Sequence, residues 1–399
     1  MKVLSVHNFY LRPGGEDAVF EAEQELLRQR GHQVRSYEVR NTLMANRHPL
    51  SVAISAIWSE ESRRRLTEIL YEEEPDVVHF HNTFPLISPS AYYACRTAGA
   101  AVIQTLHNYR LLCPVATLYR KGRVCLDCVG KPVAWPGVIH SCYHASHSQS
   151  AIIAAMLAVH RAIGTYQNMI DAYIVLTEFS RRRFREGGLP PHKLFVKPNA
   201  IASDPGKKQK TGDFALYIGR LSEEKGIRTM LSAWESLPMP LKIVGDGPMR
   251  DELLGRIAHS QSVQYLGAQS RTHVFSLMKE ARVLIFPSEW YEGFPMVIAE
   301  AFACGLPVVT SNLGSQAEIV RDGFSGLHFH TADGSDLREK VRWCFHNPEE
   351  VLRMSAYSRR EYEQKYAPEI NYELLMQIYS KALMLSHAKT RTANRAKFG

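Results

Sequence analysis

The sequence has no apolar run long enough to cross a membrane. Its most apolar stretch, Ala151 to Val159, has nine residues and is followed at once by His160 and Arg161, whereas a membrane-spanning helix needs about 20 apolar residues. Met1 to His7 contains one Lys and no small-residue cleavage site, so we expect a first strand and not a secretory signal. These absences predict a cytoplasmic protein, and peripheral contact with the inner face of the plasma membrane stays open.

Cysteine is scarce, and its distribution is uneven. The chain has 7 cysteines in 399 residues, and in a cytoplasmic protein such thiols argue against a disulfide scaffold. An irregular segment over residues 109–148 holds four of them with one C-x2-C pair: Cys113, Cys125, Cys128 and Cys142. This spacing resembles a structural zinc site, with nearby histidines as substitute ligands. Unligated loop thiols are the alternative.

Positive charge exceeds negative charge mainly in the N-terminal half. Residues 1–205 carry 23 Lys and Arg against 18 Asp and Glu, and residues 206–399 carry 25 against 22. This surplus suits an anionic partner such as a phospholipid surface, although a solvated charged surface is the simpler interpretation. A nucleic-acid partner is disfavoured, because it leaves unused the carboxylates of Glu292 and Glu300 and a repeated strand–helix pattern.

Strand-like and helix-like segments alternate twice along the chain, which predicts an α/β protein with two doubly wound, Rossmann-like domains. The polar stretch from Ser203 to Gly212 marks a linker. We therefore predict an N-terminal domain over residues 1–205, which contains the Cys-rich insertion 109–148, and a C-terminal domain over 206–368. A helix over 369–386 is expected to cross back to the first domain, and 387–399 to form a basic tail.

In the N-terminal half, two features lie where strands are expected to end. Gly14 and Gly15 form a glycine turn between a predicted strand and a helix, an arrangement that brings backbone amides close to a phosphate. The turn lacks the GxGxxG pattern and the Walker lysine. His107 directly follows the apolar run 102–106, at the carboxyl end where open parallel sheets bind ligands. A histidine satisfied by a backbone carbonyl is the alternative.

In the C-terminal half, the stretch from Glu292 to Glu300 follows the apolar run 283–286. Pro295 suits the first helical turn, and the free amides of Met296 and Val297 can then bind an anion. Two carboxylates beside such amides match a ligand that carries hydroxyls as well as phosphate, as a nucleotide sugar does. A carboxylate that merely favours the helix dipole is the simpler alternative.

A second glycine turn, Gly219 to Gly226, places two cations in one loop. Arg220 and Lys225 can meet a diphosphate while Gly219 and Gly226 keep the backbone close, which is how a departing nucleoside diphosphate would be held. Together with the stretch Glu292-x7-Glu300, this loop resembles the family-4 glycosyltransferases of the GT-B fold. The resemblance covers nearly the whole chain. It implies retaining transfer of a sugar from a nucleotide donor on the C-terminal domain to an acceptor on the N-terminal one, without a catalytic metal.

The resemblance also implies residue roles. Arg220 and Lys225 would contact the diphosphate, Glu300 the ribose hydroxyls, and His107 the transferred sugar near its anomeric end. Glu292 would hold the sugar and distal phosphate with four consecutive backbone amide positions: Phe294, Pro295, Met296 and Val297. Gly14 and Gly15 would close over the phosphates, and Gln269 would lie near the base. The family often has Gly where this chain has Pro295, so one amide fewer is available.

A UDP- or GDP-sugar is the expected donor, and the expected acceptor is a lipid-linked or cell-surface polysaccharide precursor. The surplus of positive charge favours an acceptor held at a membrane. Three alternatives stay open: a soluble small-molecule acceptor, a catalytically idle nucleotide-sugar-binding scaffold, and a GT-B enzyme with other chemistry.

Overall fold

The computed structural model describes residues 1–11, 14–42 and 49–398, with side chains omitted at 49–50 and 387–398. The chain forms two compact units. The first consists of Met1–Thr117, Leu126–Pro198 and the chain from Asn371 onward, and the second of Leu118–Cys125 and Asn199–Ile370. The predicted boundary at 205 thus lies inside the second unit, because Ile201 is buried in its core and Asp204 forms an ion pair with Arg359.

The first unit is built on a six-stranded parallel sheet. Its strands are β1 (Lys2–Phe9), β2 (Gln33–Arg40), β3 (Val77–Asn82), β4 (Ala101–Leu106), β5 (Ala172–Val175) and β6 (Leu194–Val196). They are arranged in the order β2-β1-β3-β4-β5-β6. Because parallel strands end at one edge, the chain after β1, β3 and β4 reaches the same side of the sheet.

The helices of the first unit connect and cover these strands. They are Gly15–Gln29, Pro49–Ile57, Glu60–Glu73, Ser90–Ala98, Trp135–Ile139, His147–Ala162, Thr165–Asn168 and Glu178–Glu186, with a 3-10 turn at Pro191–Lys193. The apolar periodicity of residues 149–170 is that of a single helix, but the structure has two helices there. Gly164 separates them with φ +71°, a left-handed conformation that an α-helix does not continue through.

The second unit contains another six-stranded parallel sheet. Its strands are β7 (Ala215–Ile218), β8 (Leu241–Val244), β9 (Val263–Gly267), β10 (Val283–Phe286), β11 (Val308–Ser311) and β12 (Gly326–Phe329). Their order is β9-β8-β7-β10-β11-β12. A two-stranded hairpin, Tyr119–Arg120 with Arg123–Val124, also belongs to this unit.

Helices pack against both faces of the second sheet. They are Ile227–Trp234, Arg250–Ile257, Arg271–Glu280, Met296–Ala303, Gly314–Ile319, Gly334–His346 and Pro348–Lys365, with a 3-10 turn at Glu223–Lys225. Successive residues of β10 point into opposite cores: Leu284 and Phe286 into one, Val283 and Ile285 into the other. Burial on both faces explains why this strand is apolar throughout rather than alternating.

The C-terminal helix, Pro368–Phe398, returns to the first unit, as predicted. The hydroxyl of Tyr379 lies 2.9 Å from Nδ1 of His79, and that of Tyr372 lies 2.8 Å from Nε2 of His32. The helix does not end at 386, since the backbone of the predicted basic tail is helical to Phe398. Over the ranges described, no helix combines the length and the apolar character that a membrane span requires.

Candidate functional site

The second unit brings Lys225 and Glu292 together at the carboxyl edge of its sheet. Nζ of Lys225 donates to Oε1 of Glu292 at 2.7 Å, and the hydroxyl of Ser288 donates to the same oxygen at 2.7 Å. Gly226 makes this approach possible. Its φ is +69°, and a Cβ there would lie 1.9 Å from the carbonyl oxygen of Pro287, so only glycine lets the two loops pack backbone to backbone.

Hydrogen bonds from Ser311 and Gln316 fix the loop that carries Glu292. The carbonyl oxygen of Ser288 accepts hydrogen bonds from the hydroxyl of Ser311 and, at 3.3 Å, from the side-chain amide of Gln316. The same amide reaches the carbonyl oxygen of Trp290 at 3.2 Å. The amide also lies 3.4 Å from the hydroxyl oxygen of Ser311. All three of these partners are buried or half-buried, so they fix the backbone from which Glu292 projects.

The ammonium of Lys225 also lies near two aromatic faces. It is 5.2 Å from the ring centroid of Trp290 and 5.9 Å from that of Phe286. Aromatic faces attract cations. Carboxylate and rings therefore hold the positive charge at one place, while the Lys225 side chain keeps 21% of its surface exposed.

The helix Met296–Ala303 starts one residue later than expected. Pro295 is the residue before the helix, with φ −76° and ψ 94°, and the amide of Ile298 donates to its carbonyl oxygen at 3.0 Å. The amides of Met296 and Val297 precede this first intrahelical bond, which is where a helix can bind an anion. Phe294 contacts Tyr366 edge-to-face at 5.7 Å, which anchors the turn before these amides.

Glu300 lies on the same helix and is partly covered. Its side chain is 19% exposed, and one oxygen is 3.5 Å from the guanidinium of Arg271. Burial raises the pKa of Glu300, and the positive charge of Arg271 opposes that shift. The carboxylate is therefore positioned next to the helix start with one cation as its partner.

The remaining predicted donor residues of this unit lie on neighbouring loops. Gly245 has φ +138°, and a Cβ there would be 1.9 Å from the carbonyl oxygen of Gly219, so the loops after β7 and β8 touch through their backbones. Arg220 is exposed, and in the described part of the chain its guanidinium forms no ion pair. Gln269 is exposed and donates to the carbonyl oxygen of Leu266.

In the first unit, His107 belongs to a buried chain of polar side chains. Its Nε2 lies 3.1 Å from Nδ1 of His81, and the two rings are stacked with centroids 5.3 Å apart. Nε2 of His81 is 3.4 Å from Oε1 of Glu23. The other oxygen of Glu23 is 2.9 Å from Nζ of Lys197.

His79 completes this chain of polar side chains. Its Nδ1 is 2.9 Å from Oε1 of Glu23. Burial works against ionisation of Glu23, but Lys197 and His79 outweigh it and hold the pKa of that carboxyl well below its usual range. Burial and the neighbouring His79 lower the pKa of His81 to about 3, and burial and His81 lower that of His107 well below its usual value.

The glycine turn of the first unit is tied to β1 through Asp17. One oxygen of Asp17 accepts from Nε2 of His7 at 2.7 Å, and the other accepts from the backbone amide of Gly14 at 2.8 Å. Gly15 begins the helix, and a Cβ at Gly14 would meet nothing within 4 Å. Asp17 therefore links the turn to β1, and among the described residues a side chain at Gly14 would meet no close neighbour.

The structure gives the zinc prediction no support. In the part of the chain that it describes, the one set of three or more potential metal ligands at binding distance is Glu23, His79 and His81, and it contains no cysteine. Cys125 belongs to the second unit, whereas Cys113, Cys128 and Cys142 belong to the first. The buried thiol of Cys128 points to the carbonyl oxygen of Ala134 at 3.9 Å, within an apolar cluster. In the Glu23 group, Lys197 already balances the carboxylate charge, so we interpret it as a hydrogen-bonded network.

Two models of known protein families match the chain, one in each half. The family model "Glycosyltransferase Family 4" matches residues 14–204, and "Glycosyl transferases group 1" matches residues 200–361. The chain belongs to these glycosyltransferases. Both halves of the family-4 resemblance are thereby confirmed.

Among curated glycosyltransferases, an uncharacterized one from Methanocaldococcus jannaschii is 30% identical over 157 residues, which is 39% of this chain and 44% of that protein. O-antigen chain mannosyltransferase B of Escherichia coli is 37% identical over 134 residues, 31% of this chain and 34% of that protein. The matches thus span less than half the length of these relatives.

Solved structures confirm the GT-B architecture. Anabaena HepE, crystallised with UDP, superposes with a TM-score of 0.67 at 16% identity, over 95% of this chain and all of that one (100%). Sucrose-phosphate synthase of Thermosynechococcus elongatus gives a TM-score of 0.70 at 15% identity, over 95% and 98% of the two chains. At such identities the likeness establishes the fold alone.

Sequence reasoning missed several residues that build both sites. Glu23 and Lys197 were not singled out, and neither were Ser288 and Gln316. One signal was available for Glu23: it falls between Phe20 and Leu27 on the buried stripe of the helix Gly15–Gln29. A charged residue on an apolar stripe indicates a buried partner. Lys197 and Gln316 carry no comparable local signal.

Proposed function

We propose that this protein is a retaining glycosyltransferase that moves a sugar from a nucleotide diphosphate to a glycan or lipid-linked acceptor. The pairing of Lys225 with Glu292 carries the proposal. It puts a cation and a carboxylate at the carboxyl edge of one sheet, beside the free amides of Met296 and Val297. A nucleotide sugar needs that combination, because its diphosphate is anionic and its sugar and ribose carry hydroxyls.

For the donor, each group has a chemical role. Lys225 and Arg220 would neutralise the diphosphate, and Glu292 and Glu300 would accept hydrogen bonds from hydroxyls of the sugar and the ribose. Gly14 and Gly15 stay candidates for binding a phosphate at the first unit, and Gln269 would lie near the base. HepE, a neighbour in fold, was crystallised with UDP and with UDP-glucose, which favours UDP over GDP as the first nucleotide to test.

The chemistry we propose is stabilisation of the leaving group. As the bond from the anomeric carbon to the diphosphate breaks, negative charge grows on the phosphate oxygens. Lys225 is already held in place by Glu292 and two aromatic rings, so it can meet this charge without reorganising. The leaving phosphate would take the proton of the acceptor hydroxyl on the same face. No catalytic metal is required, because Lys225, Arg220 and the helix amides carry the compensating charge.

For the acceptor, we propose a precursor of cell-surface polysaccharide, held at the cytoplasmic face of a membrane. Curated relatives include an O-antigen mannosyltransferase of Escherichia coli and a lipopolysaccharide N-acetylglucosaminetransferase of Salmonella typhimurium. Residues 1–205 carry five more positive than negative charges, 23 against 18. Sedimentation with anionic and neutral liposomes tests this part: salt-sensitive binding to the anionic vesicles is expected, and its absence contradicts a membrane-held acceptor.

The donor assignment is tested by thermal unfolding with UDP-, GDP- and ADP-sugars. A donor at 100 times its dissociation constant should add about 2.7 kcal/mol to the free energy of unfolding. We expect one nucleotide class to stabilise the protein and Lys225→Ala to abolish the shift. Lys365→Ala is the matched control, since Lys365 also pairs with a glutamate in the second unit, at Glu361. A shift that survives in Lys225→Ala would refute the site.

A further inference from the structure

We propose that Glu23 and His81 are positioning residues that hold His107 in a single tautomer. In that tautomer Nε2 of His107 carries the proton and Nδ1 presents a lone pair, so His107 accepts a hydrogen bond from a sugar hydroxyl. The contact with sugar rests on the proposed function. The tautomer itself follows from the side chains of the first unit alone.

The carboxylate of Glu23 is buried against the ammonium of Lys197. Glu23 is 6% exposed and Lys197 2% exposed, and their charged atoms are 2.9 Å apart. An ionised carboxylate can only accept hydrogen bonds. Any ring nitrogen within hydrogen-bonding distance of it must therefore carry a proton, since two lone pairs would otherwise face each other.

This condition applies to Nδ1 of His79, which must carry a proton. Its Nδ1 is 2.9 Å from Oε1 of Glu23 and donates to it. Its Nε2 is then the acceptor, and the hydroxyl of Thr105, 2.7 Å away, is able to donate to it. The oxygen of Tyr379 is 2.9 Å from the same Nδ1 and can share its proton.

The tautomer of His81 in turn determines the tautomer of His107. Nε2 of His81 faces Oε1 of Glu23 at 3.4 Å and carries the proton. His81 is buried, and burial with His79 lowers its pKa to about 3, so it holds no second proton near neutral pH. Its Nδ1 is therefore a lone pair. Nε2 of His107, 3.1 Å from that lone pair, must be the donor.

His107 is where the chain of hydrogen bonds reaches the surface. His79 and His81 are 0% and 3% exposed, whereas His107 is half-buried. The titratable groups around it are His81, His79, Glu23 and Lys197, with His7 and its partner Asp17 on the side of β1. With its Nε2 proton committed to His81, His107 offers Nδ1 as an acceptor and has no proton to donate to a ligand.

The tautomer can be measured directly. With ¹⁵N-labelled histidine, two-bond nitrogen–proton correlations distinguish an Nε2–H ring from an Nδ1–H ring, and His107→Gln assigns the signal. We expect His107 to show only the Nε2–H form between about pH 5.5 and 8, because burial and His81 depress its pKa. An Nδ1–H form, or titration within this range, would overturn the proposal.

Two double variants separate positioning from general stability. Glu23→Met with Lys197→Met removes the acceptor and the cation together, so no buried charge is left unpaired. Glu23→Gln with Lys197→Met keeps one acceptor oxygen for the histidines. We expect mixed tautomers and kcat about 10- to 100-fold lower in the first, as for other outer residues that orient a functional histidine. The second should recover both, and the thermal shift with UDP should stay the same in all.

A buried histidine outside the network provides the control. His160 is 0% exposed and bonds to Thr165 and to the carbonyl oxygen of Ile57 in the same unit. His160→Gln should lower stability without changing the tautomer of His107. Wild-type tautomer and kcat in the Met–Met variant would refute positioning by Glu23. If the wild type transfers no sugar, the proposed function fails, while the nitrogen spectra still decide the tautomer.

Discussion

The two units share a sheet architecture but treat charge in opposite ways. In the first, the charges of Glu23 and Lys197 lie inside the unit, at 6% and 2% exposure, surrounded by histidines. In the second, Lys225 is 21% exposed and Arg220 is exposed. Buried groups are locked in one protonation state and one geometry, whereas cations at a sheet edge can still meet a ligand. The comparison predicts that mutations in the first network cost stability and that mutations at the second edge cost activity.

The largest expected effect is on stability, from Lys197→Met. It leaves the carboxylate of Glu23 buried without its cation, which costs about 3–5 kcal/mol of unfolding free energy. Urea unfolding measures it. The Glu23→Met, Lys197→Met double variant should recover most of the loss, because the uncompensated charge is gone. A single variant as stable as the wild type would show that the pair is not buried as described.

Next comes Lys225→Ala, which should separate activity from stability. Removing one preorganised charge at a leaving group lowers turnover by about 100- to 1,000-fold. Unfolding free energy should fall by about 1–3 kcal/mol, less than for Lys197→Met, because Lys225 is 21% exposed while the carboxylate of Glu292, at 9%, loses one buried partner. Product formation from the donor and urea unfolding are measured on the same preparation, with Lys365→Ala alongside. Near-normal turnover would contradict the assignment of Lys225.

The glycine turns of the two units offer a matched pair of smaller effects. Gly245→Ala puts a Cβ 1.9 Å from the carbonyl oxygen of Gly219 at φ +138°, so it should cost about 1–3 kcal/mol of stability. Gly14→Ala has φ −126° and open space around the new Cβ, so it should cost less than about 1 kcal/mol. Thermal unfolding compares them, and equal losses would show that the two turns are under the same constraint.

The last expected effect is a pH dependence of stability that originates mainly in the first unit. The pKa values of His81 and His107 are lowered on folding, so the unfolded chain binds more protons as pH falls below about 6.5. Stability contributed by these neutral rings is present above that pH and is lost on acidification. Glu16 opposes the trend, because burial and Asp17 raise its pKa to about 7 and the folded state binds its proton first.

Between about pH 4.5 and 6.5, His81 and His107 against Glu16 contribute a slope of about 1.4 kcal/mol per pH unit, approximately one proton. The lowered pKa of His160 adds to this slope, and the raised pKa of Glu300 subtracts from it. Urea unfolding across this range measures it. His81→Gln should flatten the curve, and His160→Gln should flatten it less because the hydrogen bond to the carbonyl oxygen of Ile57 opposes the effect of burial on the pKa of His160. A curve that rises on acidification would contradict neutral, buried rings.

Local chemistry explains which features were predictable. The apolar run 283–286 and the stretch Glu292 to Glu300 are contiguous, so strand, loop and helix could be derived from neighbours in the chain, with an error of one residue at Pro295. The break at Gly164 could not, because an isolated glycine in an apolar periodic stretch is compatible with a continuous helix. The four cysteines suggested zinc from spacing alone, and spacing does not determine whether thiols converge.

By itself the sequence determined the two α/β units, the family, and the candidate donor residues, because each depends on periodicity or on residues that are close together in the chain. Only the tertiary structure decided the partners. Lys197 meets Glu23 across 174 positions, and Tyr379 meets His79 across 300. Such contacts depend on strand order and on where a helix returns, and no local pattern records them. The tautomer of His107, which is set by those partners, is therefore a property of the fold.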